Sequence, residues 1–440
     1  MDEANLMEKI VSLCKRRGFV FPGSEIYGGL AGTYDYGPLG VALRDNLKDL
    51  WWRRFVTTRD DMVGLDSSII MPEAVWAASG HLEGFADPMV ECEKCKRRFR
   101  ADHLDGATEC PECGGTLGTP KMFNLLFPVD MGSTSGASRG YLRGEIAQGM
   151  FVNFKNVIDV THLKLPFGIA QSGKAFRNEI APRDFLFRVR EFDLMEFEYF
   201  IREDEWKTSF EYWRKEMWEW IEETGIRKES VHELEVPSTD RAHYSKRTID
   251  FEFDYPFGRK ELYGLAYRTD YDLTRHAERS KKDLSYLDET TGKRFIPHVI
   301  EPTFGLGRTV LAVLCSAYDE DELGGERRAI LRLNPNVAPI KAMVSPLLKN
   351  KPELVEKARE VRASLRKVHP AIAWDDNGNI GKRYRRQDEV GTPFCVTVDF
   401  DTLGEHKELK DTVTLRDRDT GKQERLTVHQ VVDRIRAAIA

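Results

Sequence analysis

The break at Asn334-Pro335-Asn336-Val337-Ala338-Pro339 limits the possible folds of this chain more than any other feature. A run so rich in proline and asparagine cannot continue a helix or a central strand, so it divides the 440 residues unequally. Beyond it, strand and helix patterns alternate. An apolar strand around Ala342-Met343-Val344 leads to a helix with Leu354, Ala358, Val361, Leu365 and Val368 on one stripe. Strands at Ala371–Trp374 and Phe394–Val398 and a closing helix with Val431, Val432 and Ile435 complete the segment. This order predicts an α/β domain over 336–440.

The larger part, 1–335, opens with a short helix pattern (Leu6, Ile10, Leu13) and a Gly/Tyr-rich stretch from Tyr27 to Gly40. The next helix carries Leu43, Leu47, Leu50, Trp51 and Phe55 on one stripe. That stripe serves either the chain's own core or a dimer interface. Residues 89–119 read as an insertion and 130–140, rich in Gly and Ser, as a loop. Residues 151–200 alternate aromatic and charged residues as strands do. A helix from about Asp204 to Thr224, stopped by Gly225, marks 200–250 as a helical insertion. Strands return over 249–273, with a turn at Pro256-Phe257-Gly258.

Composition excludes several classes. Sixty-six basic against 72 acidic residues leave −6, so any nucleic-acid surface must be local. No apolar run is long enough to span a membrane. Met1-Asp2-Glu3-Ala4-Asn5 lacks the layout of a signal peptide, so a soluble, cytoplasmic protein is expected. Seven cysteines are too few and too uneven for a disulfide scaffold. Cys92-x2-Cys95 and Cys110-x2-Cys113, followed by Gly114-Gly115, suit instead a structural Zn²⁺ held by four thiolates. The alternatives are an unmetallated ribbon or a redox pair. Cys14, Cys315 and Cys395 sit in apolar surroundings and read as core.

Three further constellations carry chemistry. In Phe176-Arg177-Asn178-Glu179 and Phe187-Arg188-Val189-Arg190-Glu191-Phe192-Asp193-Leu194-Met195-Glu196, arginines alternate with carboxylates. Period-2 geometry would place Arg188 and Arg190 on one face. Arginine forks suit phosphates and the carboxylates suit a metal ion or an ammonium, although a salt-bridged sheet surface has the same pattern. Glu301-Pro302-Thr303-Phe304-Gly305-Leu306-Gly307-Arg308 puts an arginine at a helix start, where anions bind. Lys382-Arg383-Tyr384-Arg385-Arg386 is either a basic–aromatic patch for a nucleic-acid backbone or a solvated helix face.

Together these strings resemble the glycyl-tRNA synthetases of the dimeric class II type over nearly the whole chain. Phe176–Glu179, Arg188–Phe192 and Glu301–Arg308 look like class II motifs 2 and 3, and the helix at 41–57 with the strand ending in Pro72 looks like motif 1. His243-Tyr244-Ser245-Lys246, Pro256-Phe257-Gly258 and Glu261–Asp270 are similar to strings of the glycine enzymes. The run from Gly381 to Phe394 resembles their anticodon-binding domain. Two departures stand out: the usual Leu-Arg-Pro-Glu-Thr-Ala-Gln-Gly is here Leu142-Arg143-Gly144-Glu145-Ile146-Ala147-Gln148-Gly149, and Thr303 replaces the usual serine.

The resemblance implies an α+β catalytic domain on an antiparallel sheet, a zinc-ribbon-like insertion and a C-terminal α/β anticodon-binding domain. It also implies a homodimer that joins glycine to tRNA(Gly) through ATP and Mg²⁺. By the same resemblance Arg177 grips the α-phosphate and Arg308 the γ-phosphate. Asn178, Glu179, Phe187, Arg188, Arg190, Glu191, Phe192, Glu261, Leu262, Gly305 and Gly307 complete the ATP site, with Glu261 also a Mg²⁺ candidate. Arg100, Glu145, Phe192, Glu196, Glu301, Thr303 and Gly305 fall to glycine. The alternatives are a catalytically idle relative that binds tRNA or serves as an accessory subunit, and a zinc-ribbon nucleic-acid binder.

Overall fold

The computed structural model describes residues 3–104, 106–132 and 138–439. Its centre is a seven-stranded sheet. The strands are β1 (Met62–Gly64), β2 (Phe167–Phe176), β3 (Glu191–Ile201), β4 (Val231–Glu235), β5 (Arg247–Tyr255), β6 (Gly258–Thr269) and β7 (His298–Gly305). They lie in the order β4-β5-β6-β7-β3-β2-β1, antiparallel throughout except for the parallel pair β1–β2.

Strand β3 shows why the sheet has two different faces. Successive side chains point to opposite sides. Met195, Phe197, Tyr199 and Ile201 join a core with Trp51, Phe55, Trp213 and Trp220, whereas Glu196, Glu198 and Phe200 face the other way. The apolar face is closed by the helices Pro38–Trp52 and Trp206–Glu223. Phe197 lies 4.6 Å from Trp213, and Phe55 5.3 Å from Phe304. The stripe Leu43–Phe55 is therefore taken by the chain's own core: Leu43, Leu47, Trp51 and Phe55 are fully buried.

The opposite face is covered by the helix Ala147–Thr161, which corrects the expectation of strands from 151 onward. Met150, Phe151, Phe154 and Val157 are buried against Phe167 and Phe200, a helical spacing hidden among alternating polar residues. Within 200–250 only Trp206–Glu223 is a long helix. Val231–Glu235 and the chain from Arg247 are strands of the main sheet, so the stretch is not a helical insertion. Gly225, at φ +79°, stops the helix as its sequence implies. Of the expected 130–140 loop, 133–137 lie outside the described residues. Phe127–Met131 and Ser138–Leu142 on either side pair as antiparallel strands.

The four clustered cysteines lie in the turns beside a small sheet of Ala86–Glu91, Arg98–Arg100 and Lys121–Asn124. After Pro339 the chain builds a separate apolar core around β8 (Ala342–Pro346), β9 (Ile372–Trp374), β10 (Phe394–Val398), β11 (Thr412–Asp417) and β12 (Gln423–Thr427). Their order is β9-β8-β10-β11-β12, with β9, β8 and β10 parallel. Val361 and Leu365 from the helix Pro352–Arg366 and Val431 and Ile435 from Val428–Ala438 pack on this sheet. Cys14, Cys315 and Cys395 are core residues, and burial pushes each thiol up to about 12.

Candidate active site

One cavity of about 550 Å³ opens over the polar face of the sheet. Its first half is cationic. Arg177, just beyond β2, donates from Nε to the Gly144 carbonyl at 3.1 Å. Its guanidinium lies 5.0 Å from the Phe85 ring and 5.4 Å from Phe192, so it is held from two sides. Arg308 stands in the first turn of the helix Leu306–Ala317, pairs with Glu261 at 3.1 Å and rests 4.6 Å from the Phe187 ring. Phe187 is backed by Tyr255 and Phe257. Arg188 and Glu179 face each other at 3.9 Å. Leu262, Gly305 and Gly307 line the same space. A Cβ on Gly307 would come 3.3 Å from the Leu186 carbonyl, so the bare backbone keeps that wall open.

The second half is anionic. Glu145, Glu196 and Glu301 line it with Thr303. Pairing of β3 with β7 sets Glu196 opposite Thr303, and pairing of β6 with β7 sets Gly264 on its other side. Glu145 is bound by His81 Nε2 at 3.0 Å and by Gln148 Nε2 at 2.9 Å. Burial alone would raise its carboxyl, but His81 and Arg268 outweigh burial and hold it far below the usual range. Burial together with Glu301 and Glu145 pushes Glu196 well above that range.

Arg100 lines the rim, held by Asp87 at 2.6 Å and Asp102 at 2.6 Å. Three expected residues do not line the cavity. Asn178 is fixed by its backbone to Leu125. Arg190 donates to the carbonyls of Ala31 at 2.5 Å and Glu179 at 3.0 Å, bracing the loop from outside. Glu191 pairs with Lys174 at 2.9 Å. The expected shared face of Arg188 and Arg190 fails because β3 begins only at Glu191.

Sequence reasoning gave no role to Arg268, Asp272, His81, Tyr244 or Asp250. Arg268, fully buried, donates twice to Asp272 (2.8 and 2.9 Å) and once to Glu301 (2.6 Å). Its guanidinium lies 3.7 Å from the Tyr244 ring. The signal was Arg268 inside an apolar strand pattern, since a cation there needs buried partners. Burial, then Glu261 and Glu252, push Asp250 up to about 7.

Both departures in 142–149 have a structural account. A Cβ on Gly144 would come 2.9 Å from Leu126 Cδ2 and 3.0 Å from Phe85 Cε1, so glycine lets Phe85 lie against the loop and beneath Arg177. Ile146 is fully buried with Ala175 and Leu194, against Phe192.

The thiols of Cys92, Cys95, Cys110 and Cys113 all lie within 4.8 Å of one another, with Cys92–Cys113 at 3.6 Å and Cys95–Cys110 at 3.7 Å. Four sulfurs at ~2.3 Å from a tetrahedral zinc would stand ~3.8 Å apart, so the set fits that ion. The Cys95 N–H lowers the Cys92 thiol to about 6, whereas at Cys95 the Arg97 N–H is outweighed by burial and the neighbouring sulfurs, which push that thiol up to about 11.

The basic run of the C-terminal half is less open than its sequence suggests. Arg383 is buried and bonds Ser345 at 2.6 Å and the Gly378 carbonyl at 2.7 Å. Arg386 pairs with Asp375, Arg385 with Glu326, and Arg416 lies over Tyr384. Lys382 remains exposed, so the helix Ile380–Val390 is mainly structural.

An antiparallel sheet that gathers arginines at a helix start and beyond a hairpin strand, followed by a separate α/β unit, defines a class II aminoacyl-tRNA synthetase. Residues 135–317 match the family described as the tRNA synthetase class II core domain (G, H, P, S and T), and 341–438 the anticodon binding domain. The glycine–tRNA ligase of Streptomyces coelicolor is 50% identical, covering 97% of this chain and 97% of that protein. Those of Caldanaerobacter subterraneus (47%; 97% and 96%) and Thermus thermophilus (46%; 97% and 98%) are similar over the same extent. The chain belongs to the glycine–tRNA ligase family.

Proposed function

We propose that this chain, as a cytoplasmic homodimer, activates glycine with ATP and passes the glycyl group to the 3′ end of tRNA(Gly). The observation that carries this is the two-ended cavity: Arg177 and Arg308 at one end, Glu145, Glu196, Glu301 and Thr303 at the other. The carboxylate of glycine attacks the α-phosphorus and pyrophosphate leaves, so negative charge grows on phosphate oxygens. Arg177 meets that charge at the α-phosphate, and Arg308 holds the γ-phosphate. Phe192 and Glu179 receive adenine. Glu196 and Glu145 bind the ammonium, and Thr303 fills the wall where a Cβ would lie. Arg100 adds a rim contact to the substrate, and the unit after Pro339 takes the anticodon end of the tRNA.

Asp250 and Glu261 line the same cavity from the paired strands β5 and β6, and two carboxylates so placed suit a divalent cation. Glu261 and Asp250 would hold Mg²⁺, which when bound neutralises phosphate charge. Arg308 keeps the Glu261 carboxyl low. Retention of this costly cluster of like charges disfavours an idle relative, and a zinc-ribbon nucleic-acid binder leaves most of the chain unexplained.

Glycine-dependent ATP–pyrophosphate exchange tests the reading. Exchange with alanine or serine should be at least ~100-fold weaker, because an added carbon clashes with the wall. Equal rates with alanine, or no exchange by folded protein, would refute it. For the cysteine site, Zn²⁺ should co-purify near one per chain. Chelation should expose 86–124 to protease and free four thiols to a thiol reagent; an unchanged digestion pattern would argue against a structural metal.

A further inference from the structure

Glu198 takes no part in the proposed chemistry and does not line the cavity; it lies wholly buried behind Glu196 and Glu301, which do. It is 0% exposed, and among the described residues neither carboxyl oxygen has a hydrogen-bond partner. Glu196 Oε1, buried beside it, also lacks one. The carboxyl oxygens of Glu196, Glu198 and Glu301 come within 4.8 Å of one another. This follows from strand geometry, because positions 196 and 198 share a face of β3.

The charges around this group do not balance. Arg268 gives three hydrogen bonds, two to Asp272 and one to Glu301. Tyr244 lies against that guanidinium. His81 is bound to Glu145 and Ser79. His276 bonds Gln148 at 2.7 Å, and burial lowers its pKa, which favours the neutral ring. Thus Glu145, Glu196, Glu198, Glu301 and Asp272 face the Arg268 guanidinium, the His81 imidazole and, on the Glu196 side, the buried Arg143 guanidinium, whose hydrogen bonds go to the carbonyls of Lys174 and Ser67. Crowded carboxylates shut away from water take up protons rather than remain ionised.

We propose that Glu198 is a positioning residue that keeps a proton and through it donates a hydrogen bond to Glu196, and that the glycine ammonium, on entering, displaces a further proton shared by Glu196 and Glu301. This rests on Glu196 being the ammonium partner. The step breaks one carboxyl O–H bond and forms one on water or a buffer base, and the ammonium takes the place of the departed proton. Burial raises Glu198 well above the ordinary carboxyl range and brings Glu301 to about 7. Protons therefore compete with glycine for this pair, so the glycine KM rises as pH falls.

A non-hydrolysable sulfamate analogue of glycyl-adenylate is titrated calorimetrically into the full-length enzyme at pH 7 in phosphate and in Tris. The heats should differ by the buffers' ionisation enthalpies times roughly half to one proton released per site. Glu198→Ala should raise the glycine KM about tenfold or more with the ATP KM within about threefold. Glu198→Gln, whose amide still donates, should bring the glycine KM back within about threefold of the parent. Identical heats in both buffers would overturn the proposal. So would a Gln variant as poor as the Ala variant, an Ala variant with unchanged KM, or a stoichiometric divalent ion bound at Glu198. Glu196→Gln separates the levels. If it leaves the glycine KM unchanged, the ammonium pocket itself is misassigned; if it raises that KM but no proton is released, only the present inference fails.

Discussion

Arg177→Ala is expected to cut glycine-dependent exchange by about 10³-fold, equivalent to about 4 kcal/mol of lost transition-state stabilisation. The size follows from how the guanidinium is held. The Gly144 carbonyl fixes Nε at 3.1 Å, while Phe85 and Phe192 flank the fork. Little reorganisation is therefore needed when charge builds on the α-phosphate. Arg177→Lys should recover little, since a point charge cannot use that carbonyl and two rings in the same geometry. The thermal midpoint should barely move, because Arg177 is only partly buried. Exchange within tenfold of the parent would remove Arg177 from the mechanism.

The fold was legible where one periodicity governed a whole element. Leu43, Leu47, Trp51 and Phe55 gave the core helix, and the alternation of strands and helices beyond 341 gave the second core, although Val337 and Ala338, past the break, pack into the first. It was illegible where two periodicities overlapped. Residues 147–161 mix buried Met150, Phe151 and Phe154 with polar neighbours closely enough to mimic alternation. The site was readable as a set of residue types, and most of the arginines and glutamates named from sequence do converge on one cavity. Which side of the chain each faces was not. Arg190 follows Arg188 by two positions, but no strand exists there to align them. The basic run 382–386 looked free because its partners, Ser345, Asp375 and Glu326, are distant in sequence. Arg268 went unassigned for the same reason: its role comes from Asp272, Glu301 and Tyr244, brought together only by folding.

Arg268→Met should lower unfolding stability by about 3–5 kcal/mol, the usual result of removing one side of a fully buried ion pair. Arg268 is 0% exposed, Asp272 2% and Glu301 6%, so water cannot replace the lost charge. The carboxylates left behind must then protonate or push the structure apart. Glu301 already sits at about 7 with the arginine present, because burial outweighs Arg268. Without it the folded-state pKa rises further above the unfolded value near ~4.3. A folded state that binds more protons than the unfolded state loses stability as pH rises, by up to ~1.4 kcal/mol per pH unit for each group. The deficit of the variant should thus widen from pH 6 to pH 8, in denaturant titrations at both. A deficit independent of pH would mean that Arg268 acts through packing on Tyr244 and Phe151, not as counter-charge. Glycine affinity should fall alongside stability, since Arg268 is the guanidinium that opposes protonation of Glu301 in the pocket beside Glu196.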